Sequence, residues 1–172
     1  MVQAATEGKP VAPDLVSISD ALKLRGDMAA GVAAGTETPA DAVIRLQAQT
    51  SPTGLKLDAD ADFAYAAVDI GQRLIASGKP AKAEAFFQAA EISLNSVIAR
   101  TADTAVHEKV QYLQARATIR ANYLKKQTDG RADLDAALQL VPGDKHLQQL
   151  RRLIPADPAS TFQNHPEAPS KG

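Results

Sequence analysis

Cysteine is missing from all 172 residues, and so is tryptophan. Without thiols the chain has no disulfide staple, no thiolate zinc site and no cysteine nucleophile. A cysteine-free chain suits the cytosol or a bacterial cell envelope. Aromatic residues make up only 4% of the sequence, which leaves a sheet little of its usual cross-strand packing material. No apolar run reaches the ~18 residues that a membrane-spanning helix needs, so membrane insertion is not expected.

An excess of charge of one sign is missing as well. The formal net charge is −1, so no overall field draws the chain to nucleic acid, and nucleic-acid binding is not expected. The distribution is less even. Residues 1–97 carry 8 basic and 12 acidic side chains, a balance of −4, and residues 98–154 carry 10 and 6, a balance of +4. Two readings fit: ordinary solvated helix faces, or a polar docking surface that complements a charged partner.

The patterns that carry reactions are absent too. His107, His146 and His165 fall on three different segments, without the His-x-x-x-His or His-Glu-x-x-His spacing that puts two ligands on one helix face. No metal site is expected. There is no Gly-x-x-x-x-Gly-Lys-Ser/Thr phosphate loop and no Gly-x-Ser-x-Gly elbow. Asp58, Asp60 and Asp62 have the start of a calcium-loop spacing, but Phe63 and Asp69 stand where that loop needs glycine and glutamate. A capping and linker role suits these acids better. The chain is expected to be no enzyme and to carry no cofactor.

What the sequence does have is alanine and helical periodicity, so the expected class is all-α. The organising stretch is Ala67–Ala90. Apolar residues recur at Ala67, Ile70, Leu74 and Ile75, the spacing of one helix face. Gly71 lies inside this run, where glycine costs about 1 kcal/mol against alanine, and its presence suggests close approach by another helix. Gly78 ends the helix, and Pro80 sits in the first turn of the next, where its missing N–H costs nothing. Ala83, Phe87 and Ala90 continue on one face of that second helix, and Leu94, Val97 and Ile98 extend it to about Arg100.

This stretch resembles the tetratricopeptide repeat (TPR). Ile70-Gly71 takes the place of the family's Leu-Gly pair, Leu74 that of its tyrosine, and Gly78 the turn. Ala83, Phe87 and Ala90 take the second-helix positions. Ala67 and Leu74 are aliphatic where the family has aromatics, and Asn95 stands where it has its closing proline. Leu134, Ala137-Leu138 and Pro142 again resemble the second half of a repeat, with Gly130 at the small-residue position. The resemblance covers roughly 64–154. It implies antiparallel helical hairpins stacked as a short right-handed α-solenoid whose first helices line a concave, ligand-binding face.

The rest of the chain is read from its own signals. Residues 1–13, with Gly8, Pro10 and Pro13, are expected to be a flexible arm. Residues 14–50 form an N-terminal hairpin: Ser17 or Ser19 caps a helix through Leu22, Leu24, Met28, Ala29 and Val32 that ends near Gly35, and Thr38-Pro39 starts a second with Ala42, Val43 and Leu46 inward. Gly26 and Gly31 mark either close helix packing or a soft segment. Residues 58–154 hold the TPR-like hairpins and a capping helix. Asp58 or Asp60 caps the first of these helices. Thr101 or Thr104 opens another that runs to about Lys126, Gln127-Thr128-Asp129-Gly130 is a turn, and a shorter partner helix follows through Leu140. The final capping helix, 145–154, turns Leu147, Leu150 and Ile154 inward. The segment 155–172 is expected to be a disordered tail.

Arg116 and Arg120, with Lys109 two turns before Arg116, share a face. A phosphate-receiving stripe is one reading, and a solvated helix face is the default. By resemblance, Tyr65, Val68, Asp69 and Gln72 line the concave face of one hairpin, and Tyr112, Arg116, Ile119 and Asn122 that of the next. Of these, Tyr65, Asp69, Gln72, Tyr112, Arg116 and Asn122 are the candidate partner-binding residues, with packing between hairpins as the other reading of the two tyrosines. The basic pair of chaperone-binding TPR proteins is not matched, since Val68 and Gln72 stand there. The expected partner is a protein or peptide, with homo-oligomerisation open. An accessory role in assembling a bacterial envelope is the second reading. Val2-Gln3-Ala4 has the small-residue pattern of a signal-peptidase site, as in a chain whose signal peptide was replaced by Met1, so export is favoured over the cytosol.

Overall fold

Most helix starts have a local cause. The Ser17 hydroxyl accepts from the Asp20 N–H at 3.1 Å, Thr38 does the same for Asp41 at 3.1 Å, and Asp144 for Leu147 at 2.9 Å. The Asp58 carboxylate accepts from the Asp60 N–H at 3.0 Å. These side chains satisfy N–H groups that a helix leaves without partners. Pro39 and Pro80 each stand first in a helix, as a residue without an N–H can.

The computed structural model describes residues 17–55 and 57–156. The expected arm 1–13, residues 14–16 and all of the expected tail beyond Ala156 lie outside them. The described residues form seven helices and no strand, the all-α class that composition implies. They are α1 (Ile18–Ala34), α2 (Pro39–Gln47), α3 (Ala59–Ala76), α4 (Pro80–Arg100), α5 (Val106–Asn122), α6 (Gln127–Leu140) and α7 (Lys145–Leu153). The chain divides into two compact units, Met1–Phe86 and Phe87–Gly172, with the boundary inside α4.

In the first unit α1 packs most extensively against α3, and less against α2. Ala21, Met28 and Val32 of α1, Leu46 of α2, and Ala67, Ile70 and Leu74 of α3 are wholly buried. The α2–α3 connection crosses the start of α1. A Cβ on Gly54 would lie 2.8 Å from Ile18 Cα, and its φ is +75°, so only glycine fits. Gly26 and Gly31 are different. A Cβ there would meet only ordinary or slightly tight side-chain neighbours, at 3.8 and 3.4 Å, so neither marks a close helix crossing. Lys82 of α4 donates to the Val32 carbonyl at 2.8 Å, where a cation suits the negative C-terminal end of α1.

In the second unit α5 packs chiefly on α6, and α6 on α7. Leu94, Leu113, Ala117, Leu134, Ala137 and Leu147 are buried. Phe87 is 2% exposed and stacks on Tyr123, ring centroids 4.0 Å apart and planes within 2°.

The expected turn at Gln127–Gly130 is a correction. These residues form the first turn of α6, and α5 ends at Asn122 rather than near Lys126. The chain reverses at Tyr123–Lys126, with Lys125 at φ +57°. Gly130 has a packing reason instead: a Cβ there would lie 2.9 Å from the Ala117 carbonyl and 3.2 Å from Ala121 Cβ. The α5 start is also corrected. Neither Thr101 nor Thr104 caps it; its N-cap is Ala105, with no side-chain hydrogen bond. Ile75, expected on the inward face of α3, is 41% exposed.

Two substitutions test this packing. Phe87→Ala removes a buried ring and is expected to cost about 3–5 kcal/mol in a urea titration. A loss under about 1 kcal/mol would contradict the placement. Gly130→Ala separates helix propensity from crowding. In an open helix the change stabilises by about 1 kcal/mol, whereas here a net destabilisation of about 1–3 kcal/mol is expected. A net gain in stability would show that α5 and α6 do not approach as described.

Candidate functional site

The six candidate residues divide between the two units. Tyr65, Asp69 and Gln72 lie on α3 in the first, and Tyr112, Arg116 and Asn122 on α5 in the second. Tyr65, Asp69 and Tyr112 are half-buried, and Gln72 and Asn122 are exposed. Ile119, expected with them on a ligand-facing surface, is 2% exposed and belongs to the core.

Asp69 is held by its own unit. It accepts from Arg25 Nε of α1 at 2.6 Å and from Arg73 Nε one turn on, at 3.2 Å. Arg25 also donates to the Pro52 carbonyl at 2.7 Å, and Asp62 accepts from the Thr53 N–H at 2.8 Å. One arginine and one aspartate therefore fix the course of the α2–α3 connection.

Arg116 is likewise engaged, and with Arg120 it corrects the expectation of a solvated basic face. Arg116 and Arg120 side chains are only 15% and 17% exposed. Arg116 donates through Nε and Nη2 to the two oxygens of Asp133, at 3.1 and 2.6 Å, and through Nη1 to Asn95 at 2.8 Å. Arg120 donates to Glu91 at 2.7 Å and to both Asp133 oxygens at 3.0–3.1 Å. Lys126 completes the set with a 2.7 Å bond to Glu91. Helices α4, α5 and α6 are thus joined by charge-assisted, partly bidentate hydrogen bonds.

Glu91 and Asp133, 7% and 4% exposed, were missed by sequence reasoning, although a signal existed. Glu91 falls on the apolar stripe of Phe87, Ala90 and Leu94, and Asp133 beside the stripe of Gly130, Leu134 and Ala137. An acid on a buried face needs a cationic partner. Burial pushes the Glu91 carboxyl up, but the hydrogen bonds and charges of Lys126 and Arg120 outweigh that and hold it below its usual range. Burial similarly pushes the Arg120 guanidinium down, and Glu91 and Asp133 reverse the shift, so it is raised overall.

Among the described residues, each unit has a cleft. One, of about 520 Å³, lies in the first unit along the α2–α3 connection, where Ser51, Leu55, Leu57 and Asp62 contribute to its walls. The other, of about 150 Å³, lies in the second unit and is mostly apolar. Its walls include Ala117, Ala121 and Asn122 of α5, Leu134 of α6, and Leu150 and Leu153 of α7. Asn122 is the one candidate residue on its wall. Among the described residues no group of three or more His, Asp or Glu is placed to hold a metal ion, and no helix is long and apolar enough to cross a membrane.

No protein-family model, curated protein or solved structure matches this chain.

The lowered Glu91 value has a pH consequence. Its stabilising contribution is fully present above the unfolded carboxyl value of about 4.3 and is lost as pH falls through the lower folded value. Glu91→Gln is expected to be less stable than wild type at pH 7, and the gap should close on acidification. Denaturant titrations of both proteins at neutral and acid pH measure it, and a gap that stays constant would remove the assigned role.

Proposed function

We propose that the chain is a non-catalytic, TPR-like interaction module, built of antiparallel helical hairpins stacked as a short right-handed α-solenoid, that binds a protein or peptide segment. The observation that carries this reading is that Gly71, Ala83, Phe87 and Ala90, the small-residue and phenylalanine positions that the resemblance uses, are each buried. The close approach of α6 to α5 at Gly130 supports it in the second partial repeat. Exposed Asn122 supplies a carboxamide that can pair with a peptide backbone.

A second reading is assembly through copies of the same chain, as an accessory of a bacterial envelope. Large apolar side chains left in solvent favour it: Ile18 is 60% exposed, Ile44 66%, Ile92 68% and Leu153 69%.

Panning a random peptide library against the immobilised full chain tests the first reading. Enriched peptides should converge on a shared pattern and be lost by folded Gln72→Ala or Asn122→Ala variants. No enrichment over a urea-unfolded control would count against a peptide-binding module, and self-association in sedimentation velocity would favour assembly.

A further inference from the structure

The α5–α6–α7 cleft is small and lined mostly by apolar side chains. Its volume is about 150 Å³, the size of an apolar protein cavity that takes up benzene. A single leucine or phenylalanine side chain fits such a space. Ala117, Ala121, Leu134 and Leu150 offer only apolar contact, and Leu153 at the rim is 69% exposed. Covering that side chain is favourable for any apolar occupant. Asn122 puts a carboxamide at the same wall.

The charged residues next to the wall residues in sequence are basic once internal pairs are removed. Asp133 is neutralised by Arg116 and Arg120, and Asp135 by Arg151. Asp129 acts on Arg120. Arg131 donates to the carbonyl of Ile154, itself a wall residue, at 2.7 Å. The exposed cations Lys125, just past Asn122, and Arg152, beside Leu153, follow the wall in sequence.

We propose that this cleft anchors one bulky aliphatic or aromatic side chain of a partner peptide whose flanking residues are acidic. The proposal rests on the module reading above and assigns it a site. The apolar anchor supplies affinity, and the cations steer acidic segments and reject basic ones.

The test uses the full chain with ¹³C-labelled leucine and isoleucine methyl groups. The probes are capped pentapeptides: Glu-Glu-Phe-Glu-Glu, Lys-Lys-Phe-Lys-Lys and Glu-Glu-Gly-Glu-Glu. The acidic phenylalanine peptide should shift the Leu134, Leu150 and Leu153 methyls saturably. The basic peptide should bind at least about tenfold more weakly, as charge selection requires, and the glycine peptide should leave the methyls unmoved. Leu153→Glu, at a solvent-exposed position, should weaken the acidic peptide at least about tenfold without lowering the melting temperature. Equal binding of the acidic and basic peptides, or no methyl shift, overturns the proposal. So does movement of the same methyls by Phe162→Ala without peptide, which would make the chain's own C-terminal segment the occupant, or by dilution alone, which would make it a second copy. Library-selected peptides that bind while leaving these methyls unmoved would overturn this site and leave the module reading standing.

Discussion

The guanidinium of Arg120 is the point on which the second unit turns. From α5 it reaches Glu91 of α4 and Asp133 of α6, while Arg116, one turn earlier, holds the other side of Asp133. Taking these charges out of water costs several kcal/mol each, and only full pairing offsets that. The pairing is complete: among the described residues no buried side-chain polar atom lacks a partner. Apolar packing is non-directional and leaves the sliding of one helix along another weakly fixed. A fork of hydrogen bonds with set directions supplies that register.

Small residues supply the second constraint. Gly130 lets α6 come against the α5 backbone, and the same crossing brings Asp133, nearly one turn later, to the arginines. The first unit repeats the scheme at smaller scale, with Gly54 laid on the start of α1 and Arg25 tying α1 to Asp69 and Pro52. In both units an arginine largely shielded from solvent ties its helix to a neighbouring element, and in the second the helices so tied, α5 and α6, both contribute walls to the apolar cleft.

Helix starts were legible in the sequence where a side chain acts on its own next turn, as at Ser17, Thr38 and Asp58. The inward stripes of α3 and α4, Ile75 apart, were legible from spacing, because burial of one face imposes the helical period. The α5–α6 reversal was not. Its residues Tyr123–Lys126 include neither glycine nor proline, while the turn-like Gln127–Gly130 is helical because Gly130 is used for contact. Partners of Arg116 and Arg120 were illegible for another reason. They lie on other helices, between 13 and 29 residues away, and nothing on α5 itself separates a paired arginine from a solvated one. Of the candidate site, Asn122 stands at a cleft wall, whereas Asp69 and Arg116 serve the fold. That distinction needs α7, whose Leu150 and Leu153 close the cleft.

A double-mutant cycle between Arg120 and Asp133 tests the central claim most directly. Unfolding free energies of wild type, Arg120→Met, Asp133→Leu and the double variant yield the coupling between the two side chains. If the network sets the helix register, the coupling should exceed about 1 kcal/mol, with the double variant far less destabilised than the two single losses added together. Additivity within about 0.5 kcal/mol would mean that the two groups do not act on each other, and the account of how α5 and α6 are held would be wrong.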